Sequence, residues 1–562
     1  MRNHSHTQEG WRRTLLLLVI VCMGIGLLSR LAYLQIFEYG FYKALAQGQQ
    51  NLSSYGRGVR GDIFIQDRLG NLHLLATNQK LPYVFASPPE VQDAQDEAQK
   101  LADILSIPSE EILPKLQRKE SLYEPIKKRI TDEEKTRMAE LNLRGIYLGE
   151  ENVRSYPLGS LASHVAGFVN TEGKGQYGVE GYYNDVLGGK EGLLKSSWNP
   201  ATYFLSNRET VEDGSDIVLT LDYNIQAVAE ELLQKVRQEL NVEKASIIVM
   251  DPADGKLLAL ANIPSFDPNE YSKVEDLEVF QNSAIQKLFE PGSIFKPITM
   301  AGALNEGAVT PSTTYVDYGI VQIGGSKVYN YDQRTWGERS MTEVLEYSIN
   351  TGVVFAERKL GHANFLDYLK EFGIFQATNI GLAGEVFSRN TEFQKGYEIN
   401  FATAAFGQGI EMTPLQIVRA FSAIANSGVP AQPHIVLEEK PKEGALPILS
   451  SRTSSQLTAM LTSVVENGYA KTAQIPGYYV AGKTGTAQIS WAALGVAKGG
   501  YSDQTIQSFI GYAPAFNPRF LILVKLDNPA AKTAEYSAVP IFQDLAKYII
   551  DYYQIPPDYE VE

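Results

Sequence analysis

The chain has 562 residues, more than one ordinary domain holds, and its 44% hydrophobic and 20% charged residues are typical of folded protein. Its formal net charge of −15 argues against nucleic acid as a partner, because binding of phosphates requires a basic surface. The single cysteine, Cys22, excludes a disulfide within the chain, and the six scattered histidines argue against a metal site, so no cofactor is expected.

The first predicted element is a membrane anchor. Residues 14–29 are apolar and uncharged, a second apolar run follows Arg30, and about 20 such residues span a bilayer core. Three arginines precede the run, which favours a cytoplasmic tail at residues 1–13 and translocation of the rest of the chain. A cleaved signal peptide is disfavoured because the small-residue motif Ala44–Ala46 lies far beyond the apolar run. We therefore predict an uncleaved signal anchor at residues 14–36.

Residues 37–215 are predicted to form a non-catalytic region. Apolar residues recur at three-to-four spacing among charged ones over residues 90–143, which indicates helix. Strand-like runs flank this part, at GDIFIQD and GIYLGE, and the Gly- and Tyr-rich residues 171–185 indicate a loop. No set of nucleophile, acid and base occurs in this region, so a spacer or docking role is favoured.

Residues 216–562 are predicted to form one α+β domain. A strand at residues 215–222 precedes an amphipathic helix from Ile225 to about Leu240. Two apolar runs within residues 245–262, joined by Asp-Pro-Ala-Asp-Gly, indicate a hairpin. Strand-like runs return late, at GYYVAGKTGTAQI, QSFIGYAP and RFLILVKLD, before a final helix. The sheet should therefore be assembled from both ends of the domain.

The first motif that carries chemistry is EPGSIFKP, residues 290–297. Ser293 and Lys296 stand three residues apart after a Pro-Gly helix start, so the amine can reach the hydroxyl on one helix face. The N-terminal end of a helix also favours negative charge developing at the serine. Lys296 can act as a base only if its amine is neutral, which requires burial or a second cation nearby. Pro297 has no N–H to offer the Ser293 carbonyl, which predicts an irregular helix start.

The second motif is Ser348-Ile349-Asn350, between two helix-like stretches. At such a junction the hydroxyl and the carboxamide could both turn into a cleft, one to relay a proton and one to bind an amide. Capping is the alternative, because Ser and Asn are common residues at helix N-termini.

The third motif lies in a strand-like run and comprises Lys483, Thr484, Gly485 and Thr486. On a strand the lysine and the glycine share a face, and the missing side chain of the glycine would leave room for a substrate backbone. The two threonines supply hydroxyls. Residues 477–484, GYYVAGKT, also match a phosphate-binding loop. That alternative is disfavoured because the lysine precedes a strand-like run rather than a helix.

Each motif alone has a simpler explanation, and Ser-x-x-Lys is more often part of a surface helix. Their order is more specific, because Ser-x-Asn follows Ser-x-x-Lys by about 55 residues and Lys-Thr-Gly follows about 135 residues later. This order is typical of serine acyl-transferases that react with penicillins. The sequence has no G-x-S-x-G elbow, and no Ser-His-Asp set competes with the three motifs.

With these motifs the chain resembles a class B penicillin-binding protein, a single-pass D,D-transpeptidase that cross-links peptidoglycan. The resemblance extends over nearly the whole chain. Other segments that carry it are RGDIFIQDRLGN (60–71), RSYPLGSLASHVAGFV (154–169), GQYGVEGYYNDVLGGKEG (175–192), FGQGIEMTPLQ (406–416) and AGKTGTAQ (481–488). Two residues depart from the family pattern, Ile294 where Thr is common and Tyr469 where Thr is usual.

The resemblance implies an α+β fold of the penicillin-binding transpeptidase type, with an antiparallel sheet flanked by helices, at residues 216–562. It implies an elongated α+β pedestal, similar to a dimerisation domain, at residues 37–215. The anchor at residues 14–36 would cross a bacterial cytoplasmic membrane once and leave the catalytic domain outside.

The resemblance also assigns roles to the motif residues. Ser293 would attack the penultimate D-Ala carbonyl of a stem peptide that ends in D-Ala-D-Ala, and β-lactams would acylate it in the same way. Lys296 would take its proton, while Ser348 and Lys483 relay a proton to the leaving D-Ala; which lysine is the base stays open. Backbone N–H groups of Ser293 and Thr486 would form the oxyanion hole. The substrate-binding residues would be Asn350, Thr484, Gly485 and Thr486.

Four other functions are compatible with part of this pattern. A class A β-lactamase would need a Glu-x-x-Leu-Asn segment between the second and third motifs, and the sequence has none there. A penicillin sensor would need a cytoplasmic signalling region larger than the predicted tail. A D,D-carboxypeptidase is harder to exclude, because the shape of the cleft decides between water and an amine as acceptor. A non-catalytic scaffold is expected to have lost a motif residue, and all five catalytic-type residues are present.

Two cellular roles are compatible with this family, wall synthesis at the septum and wall synthesis during elongation. The compact pedestal and the lack of an added C-terminal module favour the septal type. The family further implies a polytopic SEDS-type glycosyltransferase and other divisome or elongasome membrane proteins as partners.

Overall fold

The computed structural model describes residues 7–36, 39, 55–56, 58–141, 143–190, 192–193, 212–438 and 445–561. Residues 1–6 of the predicted cytoplasmic tail and the Ala44–Ala46 motif therefore lie outside the described residues.

Helices and strands alternate along the described chain. The helices are α1 (Thr7–Ile36), α2 (Ala94–Leu105), α3 (Ser109–Leu116), α4 (Asp132–Leu141), α5 (Ser163–Ala166), α6 (Gly178–Tyr182), α7 (Asn184–Gly188), α8 (Tyr223–Glu239), α9 (Ser283–Gln286), α10 (Lys296–Asn305), α11 (Met341–Glu346), α12 (Asn350–Leu360), α13 (His362–Glu371), α14 (Thr391–Gln394), α15 (Glu398–Ala404), α16 (Pro414–Ala425), α17 (Ser451–Glu466) and α18 (Ala538–Tyr553).

The strands are β1 (Tyr55–Gly56), β2 (Ile63–Gln66), β3 (Leu72–Ala86), β4 (Glu124–Lys127), β5 (Ile146–Ser155), β6 (Phe168–Val169), β7 (Gly175–Gln176), β8 (Gly192–Leu193), β9 (Ile217–Asp222), β10 (Lys244–Met250), β11 (Leu257–Ile263), β12 (Thr314–Asp317), β13 (Ile320–Ile323), β14 (Ser326–Tyr329), β15 (Gly337–Ser340), β16 (Ala481–Ser490), β17 (Tyr501–Ala513) and β18 (Phe520–Asp527).

Helix α1 contains the predicted anchor. Its residues Leu18–Ile36 form a segment of 19 residues that is long and apolar enough to cross a membrane, and none of that segment is buried. The helix begins at Thr7, earlier than the apolar run that was used to predict it. In the part of the chain that the structure describes, no other helix meets the same criterion of length and hydropathy.

The first of two compact units contains residues 78–154, together with residues before 60 and residues 190–212. The charged stretch predicted as helix over residues 90–143 contains the three helices α2, α3 and α4, with the short strand β4 between the last two. Asp93 caps α2 by accepting from the backbone N–H groups of Gln95 and Asp96. The core of this unit contains Val84, Ala98, Leu101, Leu105, Ile112, Leu116, Ile126 and Met138.

The second compact unit contains residues 60–77, 155–189 and 213–562. The Gly- and Tyr-rich residues 171–185, predicted as a loop, contain β7 and α6, and α7 begins in them, so that prediction was wrong. These helices are too short to be stable alone, and tertiary contacts hold them. The carboxylate of Glu180, which is fully buried, accepts from Arg60 Nε at 2.6 Å.

The second unit is built around a five-stranded sheet with the order β11-β10-β18-β17-β16, in which every neighbouring pair is antiparallel. The predicted hairpin is β10–β11, and three late strands complete the sheet, as expected from the sequence. Helices α8 and α18 pack together against the sheet, and so do α16 and α17. Residues 520–526 of the central strand β18 are all buried, so both faces of the sheet are covered. The predicted α+β class with an antiparallel sheet and flanking helices is confirmed.

Two features of this unit determine where the residues of the sequence motifs lie. Strand β16, which carries the third motif, is at one edge of the sheet. Between α10 and α11 the chain forms two small antiparallel ribbons, β12–β15 and β13–β14, which sequence reasoning did not predict.

Candidate active site

The segment that carries Ser293 is a tight turn of 3-10 helix, Gly292–Phe295, which leads directly into α10. Because Pro297 has no N–H, the Ser293 carbonyl cannot receive the usual bond from four residues ahead. It instead accepts from the backbone N–H of Lys296, three residues ahead. The predicted irregularity at the helix start is therefore confirmed, and the Ser293 carbonyl is satisfied.

Two glycines let this turn lie against the edge strand β16. Gly292 has a φ of +58°, and a Cβ there would lie 2.7 Å from the Cβ of Ala487. A Cβ at Gly485 would lie 2.9 Å from Cγ2 of Ile294 and 2.6 Å from Oγ of Ser508. The side chain missing at Gly485 thus makes room for the turn that carries the nucleophile, a reason for glycine other than the substrate contact predicted from the sequence.

The two lysines of the motifs converge on one hydroxyl. Lys296 and Lys483 are both 0% exposed, and each Nζ lies 3.1 Å from Oγ of Ser348. Lys296 Nζ also donates to the Ser348 carbonyl, and Lys483 Nζ donates to the Thr484 carbonyl at 3.1 Å. The structure therefore brings together one residue from each of the three motifs.

The burial of both amines changes their proton affinity. Burial, and then the charge of Lys483, lower the pKa of the Lys296 amine well below its ordinary value. Burial lowers the pKa of Lys483 to about 7. A neutral amine is therefore accessible at neutral pH without a metal or a histidine, as base chemistry at this site requires.

Ser348 lies at the junction between α11 and α12, as predicted. Its φ is +55°, a left-handed conformation that is costly for a residue with a Cβ and that recurs at functional sites. Asn350 is the first residue of α12, and its Nδ2 donates to the Tyr329 carbonyl at 2.9 Å.

Ser293 is half-buried and lines a cavity of about 1040 Å³ together with Ser348, Asn350, Thr484 and Thr486. Among the described residues, no hydrogen bond joins the Ser293 hydroxyl to either lysine; Lys296 bonds to Ser348 instead. Catalytic hydrogen bonds are often longer in a free enzyme than with substrate bound. The contact between Gly485 and Ile294 places Ser293 and Thr486 on adjoining segments, as the expected oxyanion hole requires.

The phosphate-loop alternative for residues 477–484 is wrong. The lysine of that pattern belongs to strand β16, which pairs with β17 from Ala481 to Ser490. A phosphate-binding loop would be followed by a helix whose N-terminus faces the anion.

Residues 406–416 resemble a family-specific segment to which the sequence alone assigns no role. In the structure, the Gly407 carbonyl accepts from the Gly292 N–H at 3.0 Å. Gly407 has a φ of +79°, and a Cβ there would lie 2.3 Å from the Gly292 carbonyl oxygen. Glu290 accepts from the Gly409 N–H at 3.2 Å and from the Tyr501 hydroxyl at 2.9 Å. This segment therefore supports the turn that carries Ser293.

The cavity wall is aromatic, which the sequence motifs did not reveal. Trp336 stacks on Tyr347 with ring centroids 4.8 Å apart, and Tyr469 approaches Tyr347 edge-on at 6.3 Å. Arg334 Nη1 donates to the Tyr469 hydroxyl at 2.9 Å. The departure from the family pattern at Tyr469 therefore lies in the wall of the cavity. Within the described residues, no group of three or more His, Cys, Asp or Glu side chains could hold a metal ion.

Comparison with known families agrees with this geometry. The model of the penicillin-binding protein transpeptidase domain matches residues 245–547, more than half of the chain. The model of the penicillin-binding protein dimerisation domain matches residues 57–219.

Individual relatives match over most of their length. Stage V sporulation protein D of Bacillus subtilis strain 168 is 32% identical over 520 residues, which cover 89% of this chain and 79% of the relative. Peptidoglycan D,D-transpeptidase FtsI of Escherichia coli K12 is 29% identical over 567 residues, which cover 98% of this chain and 93% of the relative. Among solved structures, penicillin-binding protein 3 of Mycobacterium tuberculosis in complex with aztreonam matches with a TM-score of 0.69 and 26% identity, over 90% of this chain and 99% of that one. The chain therefore belongs to the class B penicillin-binding proteins, the membrane-anchored D-Ala-D-Ala transpeptidases of peptidoglycan.

Proposed function

We propose that Ser293 is the nucleophile of an acyl-enzyme mechanism and that the two buried lysines manage its proton through Ser348. The observation that carries this proposal is the Ser348 hydroxyl, held 3.1 Å from both Lys296 Nζ and Lys483 Nζ in the cavity that Ser293 lines. Lys296 is the proposed base, because burial and the charge of Lys483 both lower its pKa.

In the first step Ser293 Oγ bonds to the carbonyl carbon of the penultimate D-Ala, and its proton passes to the neutral Lys296 amine. The C–N bond to the terminal D-Ala then breaks, and Ser348 with Lys483 delivers a proton to the departing amine. In the second step an amine of a neighbouring stem peptide attacks the ester carbonyl carbon, and its proton passes through Ser348 to Lys483. The C–O bond to Ser293 then breaks, and Lys296 returns its proton to Ser293 Oγ. Backbone N–H groups of Ser293 and Thr486 stabilise the oxyanion in both steps.

Three side chains would hold the donor peptide. Asn350 would bind an amide of the donor, since one N–H of its carboxamide is used by the Tyr329 carbonyl and the other remains for a ligand. Thr484 and Thr486, which line the cavity, would bind the terminal carboxylate. The charge of Lys483 at one end of the strand supports that contact.

Labelling with a fluorescent penicillin tests the nucleophile. The full chain in detergent should be labelled covalently, and Ser293→Ala should lose the label completely. Ser312→Ala, a change at an exposed serine of the same unit, is the matched control and should be labelled normally. Undiminished label on Ser293→Ala would refute the assignment. Incubation with a D-Ala-D-Ala peptide and an amine acceptor then separates cross-linking, which yields the amide, from carboxypeptidase activity, which yields only the shortened peptide.

We further propose that the enzyme works in septal wall synthesis. The small size of the pedestal predicted at residues 37–215 supports this role over elongation. Depletion in the native organism should give filaments, whereas round cells would assign the protein to elongation. Normal growth with failure at sporulation would instead align it with the relative named stage V sporulation protein D.

The topology is also a proposal, with the tail at residues 1–13 in the cytoplasm, the anchor at 14–36, the pedestal at 37–215 and the transpeptidase domain at 216–562 outside. The charge pattern around α1 supports this orientation. The proposed partner is a SEDS-type glycosyltransferase, together with other membrane proteins of the divisome. Protease added to intact spheroplasts should remove the catalytic domain, and replacement of α1 by an unrelated anchor should weaken co-purification of the glycosyltransferase.

A further inference from the structure

Asp317, the last residue of β12, is a buried carboxylate that lies outside the sequence motifs. It is 1% exposed, and four donors surround it. Its Oδ1 accepts from the Gly319 N–H at 3.0 Å and from the Thr351 hydroxyl at 2.6 Å. Its Oδ2 accepts from Asn330 Nδ2 at 2.9 Å and from the Trp336 N–H at 2.8 Å. Four donors on one carboxylate compensate the loss of water around the charge.

Asn330 and Thr351 extend this arrangement into a closed network. Asn330 is 5% exposed and Thr351 is 2% exposed. The Thr351 N–H donates to Asn330 Oδ1 at 3.1 Å, and the Tyr315 hydroxyl lies 3.2 Å from Thr351 Oγ1. Asn330 Nδ2 also donates to the Arg334 carbonyl at 3.0 Å. A buried network in which each member is bonded fixes the relative positions of the segments that carry it.

The network meets the active site on both sides of Asn350. Thr351 is the next residue of α12, and the Tyr329 carbonyl that holds the Asn350 side chain belongs to the residue before Asn330. Trp336, bonded to Asp317 through its N–H, stacks on Tyr347, which precedes Ser348. The buried carboxylate of Asp317 therefore fixes both the N-terminal end of α12 and the part of the cavity wall that contains Trp336. The second motif lies between these two segments.

We propose that Asp317 is a positioning residue that sets the orientation of Asn350 for binding the donor amide. The proposal depends on the amide-binding role of Asn350 proposed above. All four partners of Asp317 are donors, and asparagine has one acceptor oxygen, so Asp317→Asn turns an NH2 group toward two donors. The N-terminal end of α12 and the Tyr329 carbonyl are then no longer held in fixed positions relative to each other. The Asn350 side chain, which bonds to that carbonyl, loses its orientation.

The test compares two β-lactams that differ in the amide. Benzylpenicillin carries an acylamide side chain, and 6-aminopenicillanic acid lacks it. Second-order acylation rate constants are measured for the full chain in detergent, by mass spectrometry of the acyl-enzyme. Asp317→Asn should lower the preference for benzylpenicillin about tenfold, toward the value for Asn350→Ala. In the double variant the two effects should not add, because both remove the same contact.

A second pair of variants keeps the proposal testable if Asp317→Asn fails to fold. Thr351→Val keeps the shape of the side chain but removes the hydroxyl that Asp317 accepts from, so it should also lower the preference. Thr351→Ser restores the hydroxyl and should restore the preference. Asp222→Asn is the matched control, since Asp222 is a buried aspartate that caps α8 and does not line the cavity.

The outcomes separate the two proposals. If Asn350→Ala lowers the preference and Asp317→Asn and Thr351→Val leave it unchanged, the positioning role of Asp317 is refuted while the role of Asn350 stands. Equal slowing of both β-lactams would indicate a merely structural carboxylate and also refutes it. If Asn350→Ala itself leaves the preference unchanged, the amide-binding role of Asn350 fails, and the inference about Asp317 fails with it.

Discussion

Lys296 and Lys483 place their Nζ atoms at the same distance, 3.1 Å, from the single Oγ of Ser348. A hydroxyl has one proton, so it can donate to only one of the two amines, and that amine must be neutral. Two cations this close would repel in a site that excludes water. The arrangement therefore favours one neutral and one charged amine, which suits an acid and a base that exchange roles during acyl transfer.

The first prediction concerns the pH dependence of acylation. A base must be neutral, so the rate rises as pH rises through the lowered pKa of Lys296. Lys483→Met removes one of the two causes of that lowered pKa, so the rising limb should move to higher pH. The rate of acylation by a fluorescent penicillin, measured from about pH 5 to about pH 10, shows where the rate rises with pH. Lys547→Met, on the exposed side of α18, is the control and should leave this pH range unchanged. If the rate of Lys483→Met rises over the same pH range as that of the wild type, the explanation is contradicted.

The second prediction is that Lys483→Met stabilises the fold at neutral pH while it slows acylation and turnover. The folded pKa of about 7 lies below the unfolded value near 10.5, so the folded state binds fewer protons between these values and wild-type stability rises with pH there. At pH 7 the buried amine costs on the order of 4 kcal/mol. Thermal unfolding in detergent should show a gain for Lys483→Met that is largest at pH 7 and below and shrinks toward about pH 10. An equal increase of the unfolding temperature at about pH 7 and at about pH 10 would mean that the variant changes only the packing.

The third prediction concerns Gly485. A methyl group there would lie 2.9 Å from Ile294 Cγ2 and 2.6 Å from Ser508 Oγ, so Gly485→Ala should push the nucleophile turn away from β16. Overpacking of this kind costs roughly 1–3 kcal/mol, and acylation should slow at least tenfold. Thermal unfolding and penicillin labelling measure the two effects. Gly325→Ala, where nothing lies within 4 Å of the new methyl group, should change neither. Normal acylation by Gly485→Ala would show that the turn tolerates displacement.

The fourth prediction concerns Glu357, a fully buried residue of α12. Its Oε1 lies 2.6 Å from His362 Nδ1, at hydrogen-bond distance, and its Oε2 has no hydrogen-bond partner among the described residues. Burial raises its pKa, so the folded state binds more protons than the unfolded state, and stability falls as pH rises above about 4. Glu357→Gln should therefore raise the unfolding temperature at pH 7 by a few degrees and lose that advantage near pH 4.

Glu371→Gln, an exposed change on α13, serves as the control for Glu357→Gln. A stabilisation that is independent of pH would mean that the ionised carboxylate is not the cause.

Much of the site was predictable from the chain because its chemistry needs particular residue types in a particular order. Ser293, Lys296, Ser348, Asn350 and Lys483 were named as candidates this way, and the sequence indicated that Lys296 would need burial or a second cation nearby. Much of the five-stranded sheet was also predictable, because β10, β11 and β18 are mostly apolar and the second half of β17 is apolar. A fixed order of catalytic residue types and a run of apolar residues in a strand can both be recognised directly in the sequence.

What could not be predicted depends on contacts between distant segments. Asp317 lies on a strand of four residues whose alternating exposure carries little hydrophobic pattern, and its partners lie up to 34 residues away. Helix α6, with the sequence GVEGY, has too much glycine to be favoured locally, and Arg60 holds it through the buried carboxylate and the backbone carbonyl of Glu180. The reason for glycine at Gly485 is visible only when Ile294 is seen against it.

Strand β16 has one strand neighbour, β17, in the described sheet. An open sheet edge is usually a hazard, because it offers backbone groups to any extended chain and so promotes aggregation. Beside the cleft the same edge becomes an asset, since a stem peptide laid along it would be held through its main chain, whatever side chains it carries. Such bonds cannot be removed by exchanging a side chain of the enzyme. If a β-lactam and the stem peptide both lie along this edge, a substitution that blocks the edge should exclude both of them.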